Sequence, residues 1–282
     1  MRLATLVDGA QAILALVRDD RLLPLDGPGA PFRSLREVVA SGADGPGRVQ
    51  AWADWQPDRA YRPLDDAMLG PAVPQPGAIF TIGLNYVVPG EPAGAAPPRP
   101  LVYAKLPSSV SGHGATVAWD RTLTANVDAE VELGVVIGAP ARAVSPGEAL
   151  RHVFGYTCVN DMSSRDPWLD GDQWLLGKSM AGFCPVGPVV VTGDEMPPGP
   201  LRLGCTVNGA AIQDGSTADL RFSIAEVIAF LSRHVTLRPG DLIATGTPAR
   251  LEAPPGPDRH LEPGDRVTVW IEGLGELTTV IA

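Results

Sequence analysis

Glycine and proline cut this chain into short pieces: 32 glycines and 29 prolines fall among 282 residues. Both residues are costly inside a helix, so few long helices can form. What survives between them is a series of short apolar, β-branched runs. Residues 2–7, 78–84, 101–105, 131–137, 153–159, 186–191, 203–207, 241–245, 266–272 and 276–281 read as strands. Residues 10–18 fit a strand or a short helix equally well. The best helix is 224–232, with Ser223 as N-cap and apolar residues at helical spacing. Residues 35–41 and 146–151 read as one or two helical turns. Gly83, Gly112 and Gly114 do not form the GxGxxG turn of a dinucleotide-binding unit. The pattern predicts a β-rich α+β fold with few short helices. Residues 1–70 read as a small N-terminal α/β domain, 71–76 as a proline-rich linker and 77–282 as the main domain.

Composition narrows the function. Hydrophobic residues make up 45% and the net charge is −10. An acidic surface argues against nucleic acid and anionic membranes as partners. No apolar run reaches the roughly 20 residues of a membrane span. Three cysteines in no CxxC arrangement suit a reducing cytoplasm better than a disulfide framework. The first twenty residues, interrupted by Asp8 and Asp19, do not read as a signal peptide.

One strand carries chemistry. In VDAEVELGVVI, residues 127–137, Glu130 and Glu132 are two apart and share a strand face. Two carboxylates side by side in an apolar strand repel, and losing water makes the repulsion worse. A hard divalent cation such as Mg²⁺, Mn²⁺ or Ca²⁺ would relieve it. Two polar teeth on a half-exposed strand would explain the same pattern. Asp161 ends a second apolar run, where it could join the pair or simply make a turn.

The stretches DAEVELGVVIG, GYTCVNDMSSRD and GKS…FCPVGP, in that order, resemble the catalytic domain of the fumarylacetoacetate hydrolase family. So do IFTIGLNY (79–86), VYAKLPSS (102–109), VNGAAIQDGST (207–217), LRPGDLIATGTP (237–248) and EPGDRVTVWIEGLGEL (262–277). The likeness spans about three quarters of the chain. It implies a mixed β-sandwich roll with a metal pocket at its mouth, Glu130, Glu132 and Asp161 as metal ligands, and Lys178 facing substrate. Tyr86, Arg165, Asp166, Trp168 and Thr247 would lie against the substrate. Mg²⁺, Mn²⁺ or Ca²⁺ would be the cofactor. The substrate would be a small β-diketo or 2-oxo acid, cleaved by hydrolase or lyase chemistry through a metal-bound enolate. A homodimer or higher homo-oligomer is implied as well.

The departures bear on proton transfer. Pro89 stands where many members carry a catalytic histidine, and Glu91 is one place short of its acidic partner. Glu91 is the candidate replacement base. Trp168 replaces a usual glutamine and Ala181 a usual aspartate. His113, in SGHG, could approach the pocket, whereas His152, His234 and His260 read as surface or capping residues. These changes admit a repurposed enzyme, such as a decarboxylase, isomerase or cyclase/dehydratase of secondary metabolism, or a non-catalytic metal-binding scaffold.

Overall fold

The computed structural model describes residues 1–64, 67–88, 90–92, 96–251 and 260–282. The N-terminal segment forms β1 (Arg2–Asp8), β2 (Gln11–Arg18), β3 (Arg21–Pro24) and β4 (Arg62–Pro63), with α1 (Leu35–Ala40) and α2 (Asp44–Ala53) between β3 and β4. Residues 10–18 are therefore a strand, turned back by Gly9 at φ 60°. The helix α2 escaped the sequence reading because its Asp-Gly-Pro-Gly start carries turn chemistry.

The main sheet continues through β5 (Ile79–Gly83), β6 (Leu101–Lys105), β7 (Val110–Ser111), then past β8 (Ala115–Val117) and β9 (Val127–Asp128) to β10 (Val131–Ile137). After α3 (Pro146–Ala149) come β11 (Val153–Asn160), β12 (Ser163–Ser164), α4 (Pro167–Gly171), α5 (Trp174–Lys178) and β13 (Cys184–Thr192). Next are β14 (Arg202–Val207), β15 (Ala210–Ser216), α6 (Ile224–His234), β16 (Leu242–Ala244), β17 (Arg266–Ile271) and β18 (Gly275–Ile281).

The large sheet runs β4-β3-β2-β1-β13-β11-β10-β16-β5-β6, with β7 added against β13. A second sheet, β15-β14-β17-β18-β8, covers part of one face. Both are mixed, since β16–β5, β13–β7 and β18–β8 pair in parallel and the rest antiparallel. The β14–β15 turn is Asn208-Gly209, both at positive φ, the backbone form a tight hairpin demands.

Side chains from both sheets, including Val131, Leu133, Val189, Leu203, Val269 and Leu277, share one core. Each such side chain contributes about 1.5–3 kcal/mol by leaving water. The strand β10 is buried along its whole length because elements cover both its faces. That hides the alternation expected of a half-exposed strand. The sheet crosses the boundary expected at residues 71–76: β1 pairs with β13, and Leu3, Leu14 and Leu16 share a core with Val186 and Val190. The 71–76 stretch itself lies on that core, with Ala72 and Val73 buried and the Ala72 N–H bound to the Val186 carbonyl. Among the described residues no helix is long and apolar enough to cross a membrane.

Candidate active site

The central antiparallel pair β10–β11 sets the site. Its register opposes Val131 to Asn160 and Glu132 to Val159. Glu130, one residue before β10, and Asp161, one residue after β11, are thereby neighbours, and the Asp161 N–H donates to the Glu130 carbonyl at 2.9 Å. The Asn160 side chain accepts from the Glu130 N–H at 3.1 Å. Carboxylate oxygens of Glu130, Glu132 and Asp161 come within 4.8 Å of one another.

Two lysines enter this acidic cluster. Lys105, at the end of β6, donates to Asp161 Oδ1 at 2.5 Å and to the Met162 carbonyl at 3.1 Å. Lys178, at the end of α5, donates to Asp161 Oδ2 at 2.8 Å, Glu130 Oε2 at 3.2 Å and Ser163 Oγ at 2.6 Å. An ammonium group has three protons, so those of Lys178 are all committed. Burial disfavours its charge, but Asp161 and Glu130 more than offset this and raise its pKa. Burial likewise opposes the Asp161 charge, yet Lys105 and Lys178 hold that carboxyl below its usual range.

Glu132 is different. It is buried, and it accepts a hydrogen bond from the Gly246 N–H at 2.8 Å. Among the described residues no ion pair reaches it. Burial, and then the charges of Asp161 and Glu130, push its pKa well above the usual range. A buried carboxylate with two acidic neighbours and no cation of its own fits a hard divalent ion. Glu130, Glu132 and Asp161 would be its protein ligands.

These groups line a cavity of about 390 Å³, within the size range of small-molecule sites. Of the residues singled out by sequence, Tyr86, Glu91, Glu130, Glu132, Asp161, Arg165, Lys178 and Thr247 line it. The Tyr86 hydroxyl is buried without a hydrogen-bond partner. Burial, with Glu132 and Asp219 nearby, raises its pKa and keeps it a donor. Thr247 accepts from Gln213 Nε2 at 2.8 Å. Arg165 spans Asp128, Glu130 and Asp170. Glu91 is bound by Arg221.

Other sequence candidates are placed elsewhere. Asp166 holds the Thr124 and Asn126 side chains and does not line the cavity. Trp168 is 63% exposed on α4, outside the cavity wall, and Ala181 is an exposed turn residue. His113 lies against β18, where its Nδ1 accepts from the Thr278 N–H at 3.3 Å. Pro89 lies outside the described residues.

Sequence reasoning missed Lys105, Gln213, Arg221 and the Tyr103–Trp174 pair. Lys105 had a usable signal: an ammonium closing an apolar strand must be paired if buried. Gln213 accepts from the Val131 N–H at 2.9 Å and donates to Thr247 and the Pro248 carbonyl, so it ties the second sheet to the start of β10. Tyr103 and Trp174 stack at 4.3 Å between ring centroids and form an aromatic wall of the cavity. Gly83 faces the Tyr103 ring, where a Cβ would come within 2.5 Å of it.

Comparison with known proteins agrees with this architecture. The family model described as fumarylacetoacetate (FAA) hydrolase C-terminal matches residues 78–282. The chain is 39% identical to an uncharacterized protein of Staphylococcus aureus (strain USA300) over 78% of this chain and 73% of that protein. It is similar to a probable 2-hydroxyhepta-2,4-diene-1,7-dioate isomerase from Mycobacterium abscessus, with TM-score 0.79 and 33% identity over 100% and 98% of the two chains. It is also similar to maleylpyruvate hydrolase from Sphingobium sp. SYK-6 in complex with manganese(II) ion and pyruvate, with TM-score 0.82 and 30% identity over 100% and 99%. The order of strands, the acidic triad and these matches together show that the chain belongs to the fumarylacetoacetate hydrolase family.

Proposed function

We propose that the protein is a divalent-metal-dependent enzyme that cleaves or rearranges a small β-diketo or 2-oxo acid. The observation that carries this reading is Glu132, a buried carboxylate that sits in an acidic triad and has no ion-pair partner among the described residues. Support comes from relatives described as a hydrolase with manganese and pyruvate and as a probable isomerase of a hydroxy-diene-dioate. Mg²⁺, Mn²⁺ or Ca²⁺ held by Glu130, Glu132 and Asp161 would supply an electrophile for adjacent substrate oxygens.

The chain's own residues have separate tasks in this reading. Lys105 and Lys178 hold Asp161 and Glu130 in position and add positive charge where negative charge develops. The Tyr86 hydroxyl donates to a substrate oxygen, and Thr247 orients a substrate carboxylate. The Tyr103–Trp174 wall keeps water from the acyl portion. Glu91 serves as the proton acceptor. Cytoplasmic location and a homodimer or higher homo-oligomer remain part of the reading through family likeness.

A second reading is a repurposed decarboxylase, isomerase or cyclase/dehydratase of secondary metabolism. It is favoured by Pro89, which cannot transfer a proton, and by the engagement of Glu91 with Arg221. Incubation of the purified protein with acetylpyruvate and oxaloacetate, with and without Mn²⁺, separates the two. Pyruvate and acetate from acetylpyruvate support hydrolysis. Carbon dioxide from oxaloacetate alone, above the metal-only blank, supports the second reading. No metal-dependent turnover of either, and no thermal shift with Mn²⁺, would remove both in favour of a scaffold.

A further inference from the structure

Arg221 is a cavity-lining cation paired with Glu91, the candidate proton acceptor. It precedes α6 by three positions, and its side chain is 11% exposed. One terminal nitrogen donates to Glu91 Oε2, while the Nε–H is buried with no hydrogen-bond partner. Arg221 lines the cavity, and its unused donor is covered while Glu91 holds the guanidinium, so an acceptor that arrives from outside would reach it only by displacing Glu91.

The backbone of Arg221 is fixed to the acidic triad. Its N–H donates to the Asn85 carbonyl at 2.8 Å. The Asn85 side chain accepts from the Phe222 N–H at 2.9 Å and donates to the Thr245 carbonyl at 2.7 Å. The next residue, Gly246, donates to Glu132. A short relay of hydrogen bonds therefore sets the separation between Arg221 and Glu132. Gly246 sits at φ 101°, and a Cβ there would come within 2.8 Å of Asn85, so the relay tolerates no side chain at that point.

We propose that Arg221 determines specificity by exchanging Glu91 for an anionic group at the far end of the substrate, and that this exchange frees Glu91 as the base. The proposal rests on the oxo-acid reading above. An arriving carboxylate can take both the unused Nε–H and the terminal N–H as a bidentate acceptor, which Glu91 does not. Glu91, released from the guanidinium, then accepts a proton from water as the water oxygen bonds to the acyl carbon, C4. The C3–C4 bond breaks with its electron pair going to C3, and the proton returns to C3. For succinylpyruvate and one water the products are succinate and pyruvate.

The test compares succinylpyruvate with butyrylpyruvate, which has a methyl group in place of the far carboxylate. Both kcat/KM and calorimetric affinity are measured with Mn²⁺ on the full chain. The expected preference for succinylpyruvate is on the order of 10- to 100-fold. Arg221→Met is expected to abolish that preference while leaving the Mn²⁺ thermal shift in place. Glu91→Gln is expected to lower kcat for succinylpyruvate at least about tenfold and to keep the binding preference. Equal affinities for the two acids in the wild type, or equal losses for both in Arg221→Met, would overturn the proposal. If neither acid is turned over, the oxo-acid hydrolase reading fails, while the affinity ratio still decides whether Arg221 selects an anion.

Discussion

Lys105 Nζ lies 2.5 Å from Asp161 Oδ1, and both side chains are at most 1% exposed. The two residues are 56 apart in sequence. Removing Lys105 leaves the buried Asp161 carboxylate with Lys178 as its one remaining cation among the described residues, beside two further acids, in a medium that solvates the excess negative charge poorly. Lys105→Met is therefore expected to cost about 3–5 kcal/mol in metal-free buffer at pH 7. Saturating Mn²⁺ should restore part of this, because the ion supplies positive charge to the same carboxylate. Urea unfolding with and without the ion reads both effects, and a loss below about 1 kcal/mol would show that the pair carries little.

Glu132 predicts the opposite behaviour. Its carboxylate has acidic neighbours and no ion-pair partner among the described residues, so removing its charge relieves repulsion. Glu132→Gln should leave metal-free stability within about 1 kcal/mol of wild type. It should also erase the stabilisation that wild type gains from Mn²⁺ or Mg²⁺, about 2.7 kcal/mol at a hundredfold excess over Kd. Thermal melts across a metal titration check this. An unchanged shift in the variant would place the ion elsewhere.

Ser223 and Glu226 form a reciprocal cap at the start of α6. Ser223→Ala is expected to cost about 1 kcal/mol. Because the cap follows Arg221 and Phe222, both bound to Asn85, the variant should also weaken selection by Arg221. Equilibrium unfolding gives the first effect and the acid pair described above gives the second. A stability loss with selection intact would separate the helix start from the relay.

His113 gives a pH dependence away from the acidic triad. Burial lowers its pKa below 6.5, Arg266 adds to this, and a bond to the Glu276 carbonyl with that residue's charge partly opposes it. The unfolded chain therefore takes up this proton at a higher pH than the native one. The associated stability is complete above about pH 6.5 and falls as the pH drops below it. His113→Gln should flatten the slope of unfolding free energy between pH 5 and 7. Parallel curves for wild type and variant would rule this residue out as the source.

Much of the fold was legible because glycine and proline delimit the strands, and the ends of the β10–β11 pair carry the acids. Period-two spacing placed Glu130 and Glu132 on one strand face, but a half-exposed strand and a turn at Asp161 explained the local pattern equally well, and it was the family resemblance that grouped the three acids. Lys105, Gln213 and Arg221 were not found, because each reaches the acidic cluster or the cavity around it from a distant segment and its role depends on tertiary pairing. Asp166 and Trp168 show the reverse limit. They sit in a matching motif, but α4 turns the first toward Thr124 and the second toward solvent. The strand β15 was missed although Asn208-Gly209 announces its hairpin, because its own residues, AAIQDGS, are weakly apolar.

The β10–β11 ladder runs from Val131↔Asn160 to Ile137↔Val153. At about 3.3 Å per residue, its far end is roughly 20 Å from the acids. Gly147, exposed in the connection beyond that end, has open space where a side chain would point. A cysteine placed there could carry a fluorophore that senses tumbling and assembly while the reaction centre, a full strand-length away, proceeds undisturbed.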